Sequence, residues 1–60
     1  MSNHFEANHP IDGSDIVVEY DDDGRLVGAT YQGDGLDVDI SDGVIKNKIQ
    51  ADIDHYLDAE

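Results

Sequence analysis

Fifteen carboxylates in a chain of sixty residues place oxygen ligands and candidate general acids almost everywhere, so spacing decides which of them can do chemistry. Glu19, Asp21, Asp23 and Gly24 match the first half of a helix-flanked calcium loop, which needs oxygen ligands at alternate positions and a glycine at its sharp bend. The second half fails: Thr30 stands where a bidentate glutamate must close the site, and the flanks read as strands. In the segment from Asp37 to Gly43 the glycine falls one residue late and Lys48 takes the closing position. Both stretches read as turns.

The three histidines, His4, His9 and His55, have no spacing characteristic of zinc or nickel ligands. His4 and His9 fall in a segment without periodicity and His55 beside an apolar helical stripe, so they read as surface or helix-edge residues. Ser2, Ser14, Ser41 and Thr30 lie in no nucleophile elbow, and Ser41 reads as a helix cap. A general acid needs its pKa raised by an apolar pocket, which so few large side chains can hardly build. Gly33-Asp34-Gly35 precedes a strand, the wrong context for a phosphate-cradling loop. No catalytic residue, cofactor or metal site is expected.

The carboxylates then need another explanation. They face only three basic residues, Arg25, Lys46 and Lys48, for a formal net charge of −12, and twelve of the fifteen are aspartate. In dilute buffer this charge opposes compaction, but near 1 M salt the Debye length falls to about 3 Å and the repulsion largely disappears. Short carboxylates hold water and hydrated cations while exposing little hydrocarbon, which suits a protein working in molar salt. With so few cations to replace phosphate counterions, nucleic acid is not an expected partner, whereas a basic protein is a natural one. No apolar run is long enough to span a bilayer, and the N-terminus lacks the basic and apolar regions of a signal peptide, so a cytoplasmic location is expected. With no cysteine there is no disulfide to support a core that is marginal at this length.

Positioning falls to four elements. Ile16 to Tyr20 is a β-branched and aromatic run that stops at Asp21-Asp22-Asp23-Gly24 and resumes from Arg25 to Tyr31, which predicts a hairpin. Leu36 to Ile40 alternates apolar and acidic residues, which predicts a third antiparallel strand beside it. Ile45, Ile49, Ile53, Tyr56 and Leu57 fall on one helical stripe, with Ser41 or Asp42 as the N-cap. The expected fold is α+β, a three-stranded antiparallel sheet (β-β-β-α) covered on one face by the C-terminal amphipathic helix. Residues 1–15 are expected to form a mobile N-terminal tail and residues 16–60 the single domain.

Strict alternation puts Ile16, Val18, Tyr20, Leu26, Leu36, Val38 and Ile40 under the helix. The opposite face then collects Val17, Val27, Ala29 and Tyr31 among Glu19, Asp37 and Asp39, and is half apolar where solvent should be. These four residues are the candidate interaction face, covered either by Phe5 and Ile11 of the tail or by a second copy in a homodimer.

In composition the whole chain resembles the short, aspartate-rich, uncharacterised proteins of extremely halophilic archaea, which implies a salty cytosol and no particular activity. From Ile16 to Leu57 the order of elements, with its Asp-rich turn ending in Gly24, also resembles the β-β-β-α domain of HicB-type antitoxins. That likeness implies a module that neutralises a basic ribonuclease toxin, and it carries over no catalytic residue. The expected function is a non-enzymatic protein-interaction or homodimerisation module, with charge masking of a basic protein or toxin as the alternative.

Overall fold

Asp15–Tyr20 forms the central strand of the sheet, since its β-branched residues suit a pleated surface covered on both sides by neighbours. We describe residues 3–59 from a computed structural model. The elements in chain order are β1 (Asn3–Asn8), β2 (Asp15–Tyr20), β3 (Leu26–Tyr31) and α1 (Gly43–Asp58). The sheet is antiparallel in the order β1-β2-β3 and is followed by the single C-terminal helix, the α+β arrangement expected. Ile16, Val18 and Tyr20 point to the helix side and are buried, while Val17 and Glu19 point away.

The β2–β3 reversal is built by Asp21. Its carboxylate accepts the N–H groups of Asp23 and Arg25, both at 2.9 Å, and its carbonyl accepts that of Gly24 at 2.9 Å. Gly24 sits at φ +79°, a backbone conformation that favours glycine, and a Cβ there would come within 2.9 Å of Leu57 Cδ1 and displace the tip of that side chain. The aspartates that suggested a calcium loop are therefore turn residues.

Asn3–Asn8 corrects the expected tail. Phe5 and Ala7 alternate with His4, Glu6 and Asn8, and the register sets Phe5 opposite Val18 and Ala7 opposite Ile16. The turn that makes this pairing possible runs from His9 to Ser14: His9 N–H donates to the Ser14 carbonyl at 2.8 Å, Gly13 N–H to the His9 carbonyl at 3.0 Å, and Gly13 adopts φ +76°. Ser14 N–H also donates to the Asp12 carboxylate at 2.9 Å, and hydrogen bonds from the Ser14 backbone and then its side chain hold the Asp12 carboxyl below the ordinary aspartate range. Ile11 is 67% exposed.

Leu36–Ile40 is the second correction. It forms one isolated bridge, Thr30 to Asp37, in place of a strand. Tyr31 N–H donates to the Leu36 carbonyl and Val38 N–H to the Ala29 carbonyl, both at 2.8 Å. The ladder stops there because Asp39 turns the chain: its carboxylate accepts the Ser41 N–H at 2.9 Å and the Ser41 hydroxyl at 2.6 Å. Val38 is buried and Ile40 partly so, but Leu36, expected in the core, is exposed.

The helix starts where expected, and the capping residue is Asp42, whose carboxylate accepts the Val44 N–H at 2.8 Å. Ile45, Ile49 and Ile53 are buried against the sheet, with Tyr56 and Leu57 at the margin of the stripe. Gln50 joins the helix to the hairpin. Its amide oxygen accepts the Leu26 N–H at 2.9 Å and its amide nitrogen donates to the Gly24 carbonyl at 2.8 Å.

Candidate functional site

The expected interaction face does not exist as a unit, and a single irregularity explains why. Glu19 pairs with Gly28 and Tyr20 with Leu26, so Val27 is the extra residue of a β-bulge. Because side-chain direction alternates residue by residue, one inserted residue reverses the parity of everything beyond it. Leu26 still faces the helix, but so do Ala29, opposite Val18, and Tyr31, opposite Ile16. Ala29 is buried in the core and Tyr31 packs against it, its ring stacked on His9 at 5.9 Å. Only Val17 and Val27 remain on the far side. Val17 lies between Glu6 and Thr30 in the register, and that face otherwise carries His4, Asn8, Asp15 and Glu19, as a solvated antiparallel face should.

The other chemistry-bearing residues are placed apart. Ser41 is bonded to Asp39, whose carboxyl is held below the ordinary aspartate range by the Ser41 hydroxyl and then by its backbone N–H. Ser14 and Thr30 lie at a turn and on β3, and Ser2 lies outside the described residues. His9 is buried, with Nδ1 accepting the Ile11 N–H at 3.1 Å, an arrangement that puts the ring proton on Nε2. Asp12 approaches the same Nδ1 at 3.5 Å, but a nitrogen whose lone pair receives backbone N–H groups makes no ion pair. Among the described residues no three His, Asp or Glu side chains converge to hold a metal ion.

What the fold does build is a groove. Residues of β1 and of α1 together line a cavity of about 710 Å³. Phe5 and Tyr56 stack face to face on its floor, 4.4 Å apart and 7° from parallel, and both meet Tyr20 edge-on at 5.9 and 6.4 Å. Ala7 extends this floor from β1 and Ala51 from the helix. Lys48, Asp52 and His55, three or four residues apart, project from one side of α1 as its rim, with Glu6 on the strand side. On the helix side the groove thus carries one carboxylate, Asp52, beside Lys48 and His55, on a chain of net charge −12.

Beside the groove runs an uncovered strand edge. His9 and Ser14 form a hydrogen-bonded pair, and antiparallel alternation then directs the N–H and C=O of Ala7, Phe5 and Asn3 toward β2. The backbone groups of His4, Glu6 and Asn8 accordingly point outward from the sheet. The opposite edge is partly occupied, since Ala29 and Tyr31 of β3 are bonded to Val38 and Leu36.

No family model, curated protein or solved structure matches this chain. The site is therefore read from its own geometry. Sequence periodicity missed Phe5, Ala7, His55 and Tyr56 as site residues because two apolar positions make a faint alternation, and because Phe5 and Tyr56 meet only through the fold. The usable signal was the pair of large aromatics in a chain otherwise sparing of them. Among the described residues no helix is long and apolar enough to cross a membrane.

Proposed function

We propose that this chain is a halo-adapted, non-enzymatic protein-interaction module that receives its partner along the open edge of β1 and the groove beside it. The supporting observation is a coincidence of features at one place: outward backbone groups at His4, Glu6 and Asn8, next to a near-neutral groove floored by Phe5, Ala7 and Tyr56. Strand addition to a sheet edge draws affinity from main-chain hydrogen bonds and specificity from flanking side-chain pockets, and both are present here. A basic partner held by charge alone would be drawn elsewhere, to acid-dense surface such as the Asp21-Asp22-Asp23 reversal.

The test is an assigned backbone amide spectrum in ~2 M KCl, where charge repulsion is screened. It is recorded over a dilution series of the chain and against short extended peptides rich in β-branched residues. Shifts confined to His4, Glu6, Asn8, Asp52, His55 and Tyr56 are expected. Shifts confined to Asp21–Arg25, or none under any condition, refute the reading.

A further inference from the structure

Resting on that reading, we infer that the occupant of the β1 edge is a second copy of this chain, paired antiparallel about a two-fold axis at Phe5 to give a continuous six-stranded sheet. Two features of β1 select it. Natural edge strands are blunted by proline, lysine, a bulge or an inward-pointing charge, and Asn3–Asn8 has none of these. Its helix side also suits a second polyanion: a chain of charge −12 can approach its like most easily where carboxylates are few and offset, as at Asp52 beside Lys48.

The register follows from alternation. Residues facing the helix must pair with residues facing the helix, so two central registers are open to a symmetric pair. One sets Glu6 against Glu6 of the second copy, a like-charge contact at the centre of the interface. The other sets Phe5 against Phe5 and, on the solvent face, His4 against Glu6 twice. Since the outward backbone groups belong to His4, Glu6 and Asn8, the two His4–Glu6 pairs are hydrogen-bonded pairs, each exchanging both N–H···O bonds. Phe5 then occupies the non-hydrogen-bonded position, where facing side chains come closest, and each Phe5–Tyr56 stack gains a neighbour across the axis. This register is complementary to itself, as an isologous interface must be.

Sedimentation equilibrium of the full chain in ~2 M KCl, up to about 1 mM, tests the inference. Dimer mass is expected. Glu6→Pro removes an outward N–H that no internal bond uses, so it should leave the circular dichroism of the fold unchanged and yield monomer. His4→Glu should weaken the dimer roughly 2- to 30-fold, because two facing pairs become like-charged. The double swap His4→Glu with Glu6→His should restore it; in the alternative register His4 faces Asn8, so the single change would cost little there. A dimer indifferent to Glu6→Pro, or a double swap no better than the single change, overturns the inference. A monomer whose His4, Glu6 and Asn8 amides still respond to extended peptides overturns the second copy alone and leaves the interaction module standing.

Discussion

Replacing Gln50 with alanine removes a side-chain link between the helix and the hairpin backbone, and its cost can be worked from two bonds. The Leu26 N–H loses an acceptor at 2.9 Å and the Gly24 carbonyl a donor at 2.8 Å, both partly buried beneath α1. A backbone hydrogen bond contributes about 0.5–1.5 kcal/mol net, so the pair contributes about 1–3 kcal/mol, less a few tenths for the better helix propensity of alanine. A sixty-residue domain at ~0.05–0.15 kcal/mol per residue has about 3–9 kcal/mol in all. The loss should lower the thermal midpoint by roughly 4–20 °C. Gln50→Glu should be no better than alanine, since its second oxygen would face the Gly24 carbonyl and sit beside Asp54, which Gln50 Nε2 now contacts at 3.2 Å. Asn47→Ala, at an exposed helix position, serves as the propensity control. Urea unfolding in molar KCl gives the free energies, and hydrogen exchange at Leu26 gives the local effect. If Gln50→Ala unfolds within about 0.5 kcal/mol of Asn47→Ala, and Leu26 keeps its protection, the clamp contributes nothing.

Three further outcomes are expected. The net charge of −12 should leave the chain largely unfolded in dilute buffer and folded toward molar KCl; a circular dichroism spectrum fully folded at ~10 mM salt and unchanged at ~2 M counts against salt adaptation. Ile49 and Ile53 are 0% exposed, so either truncation to alanine should cost about 2–5 kcal/mol and unfold most of the population, while exposed Asp52→Ala stays within about 0.5 kcal/mol; equal effects would show the stripe to be misassigned. Asp12 and Asp39 have folded-state pKa values lowered by Ser14 and Ser41, so their stabilisation is present above the ordinary aspartate value and is lost as pH falls below about 4. Carboxyl carbon shifts should show both titrating below their unfolded values, and Ser41→Ala should move Asp39 back up; an Asp39 midpoint indifferent to Ser41 refutes the stated cause.

How much of this was legible in the sequence depended on how many residues carried each signal. The helix was announced by isoleucines at every fourth position and by Asp42, and the central hairpin by two β-branched runs around Asp23-Gly24. Those signals are redundant, so no local event overturns them. Leu36 to Ile40 alternated as cleanly as any strand, yet one aspartate–serine hydrogen bond at Asp39 diverts the backbone after a single bridge. Local side-chain bonds compete with ladders at short range, and hydropathy does not register them. β1 was obscured for the opposite reason: two apolar residues cannot establish a period, and its turn rests on the conformation of Gly13 and a buried His9.

The bulge at Val27 had the largest effect on the functional reading, because it changed a face without changing any element. Alternation through Leu26 to Tyr31 predicts an apolar outer surface; one unpaired residue sends Ala29 and Tyr31 into the core and leaves that surface polar. The apolar side chains that had implied a partner on the sheet face are thereby accounted for by the domain's own packing. The adoption of Asn3–Asn8 as a strand then leaves backbone groups unpaired at an edge, where hydrogen bonding is directional and register is restricted by parity. An open face constrains a partner only by area, whereas this edge constrains it by direction, by spacing and by the side chains of His4 and Glu6. The bulge thus removes the first candidate surface, and the pairing of β1 supplies the edge on which the proposed partner is argued.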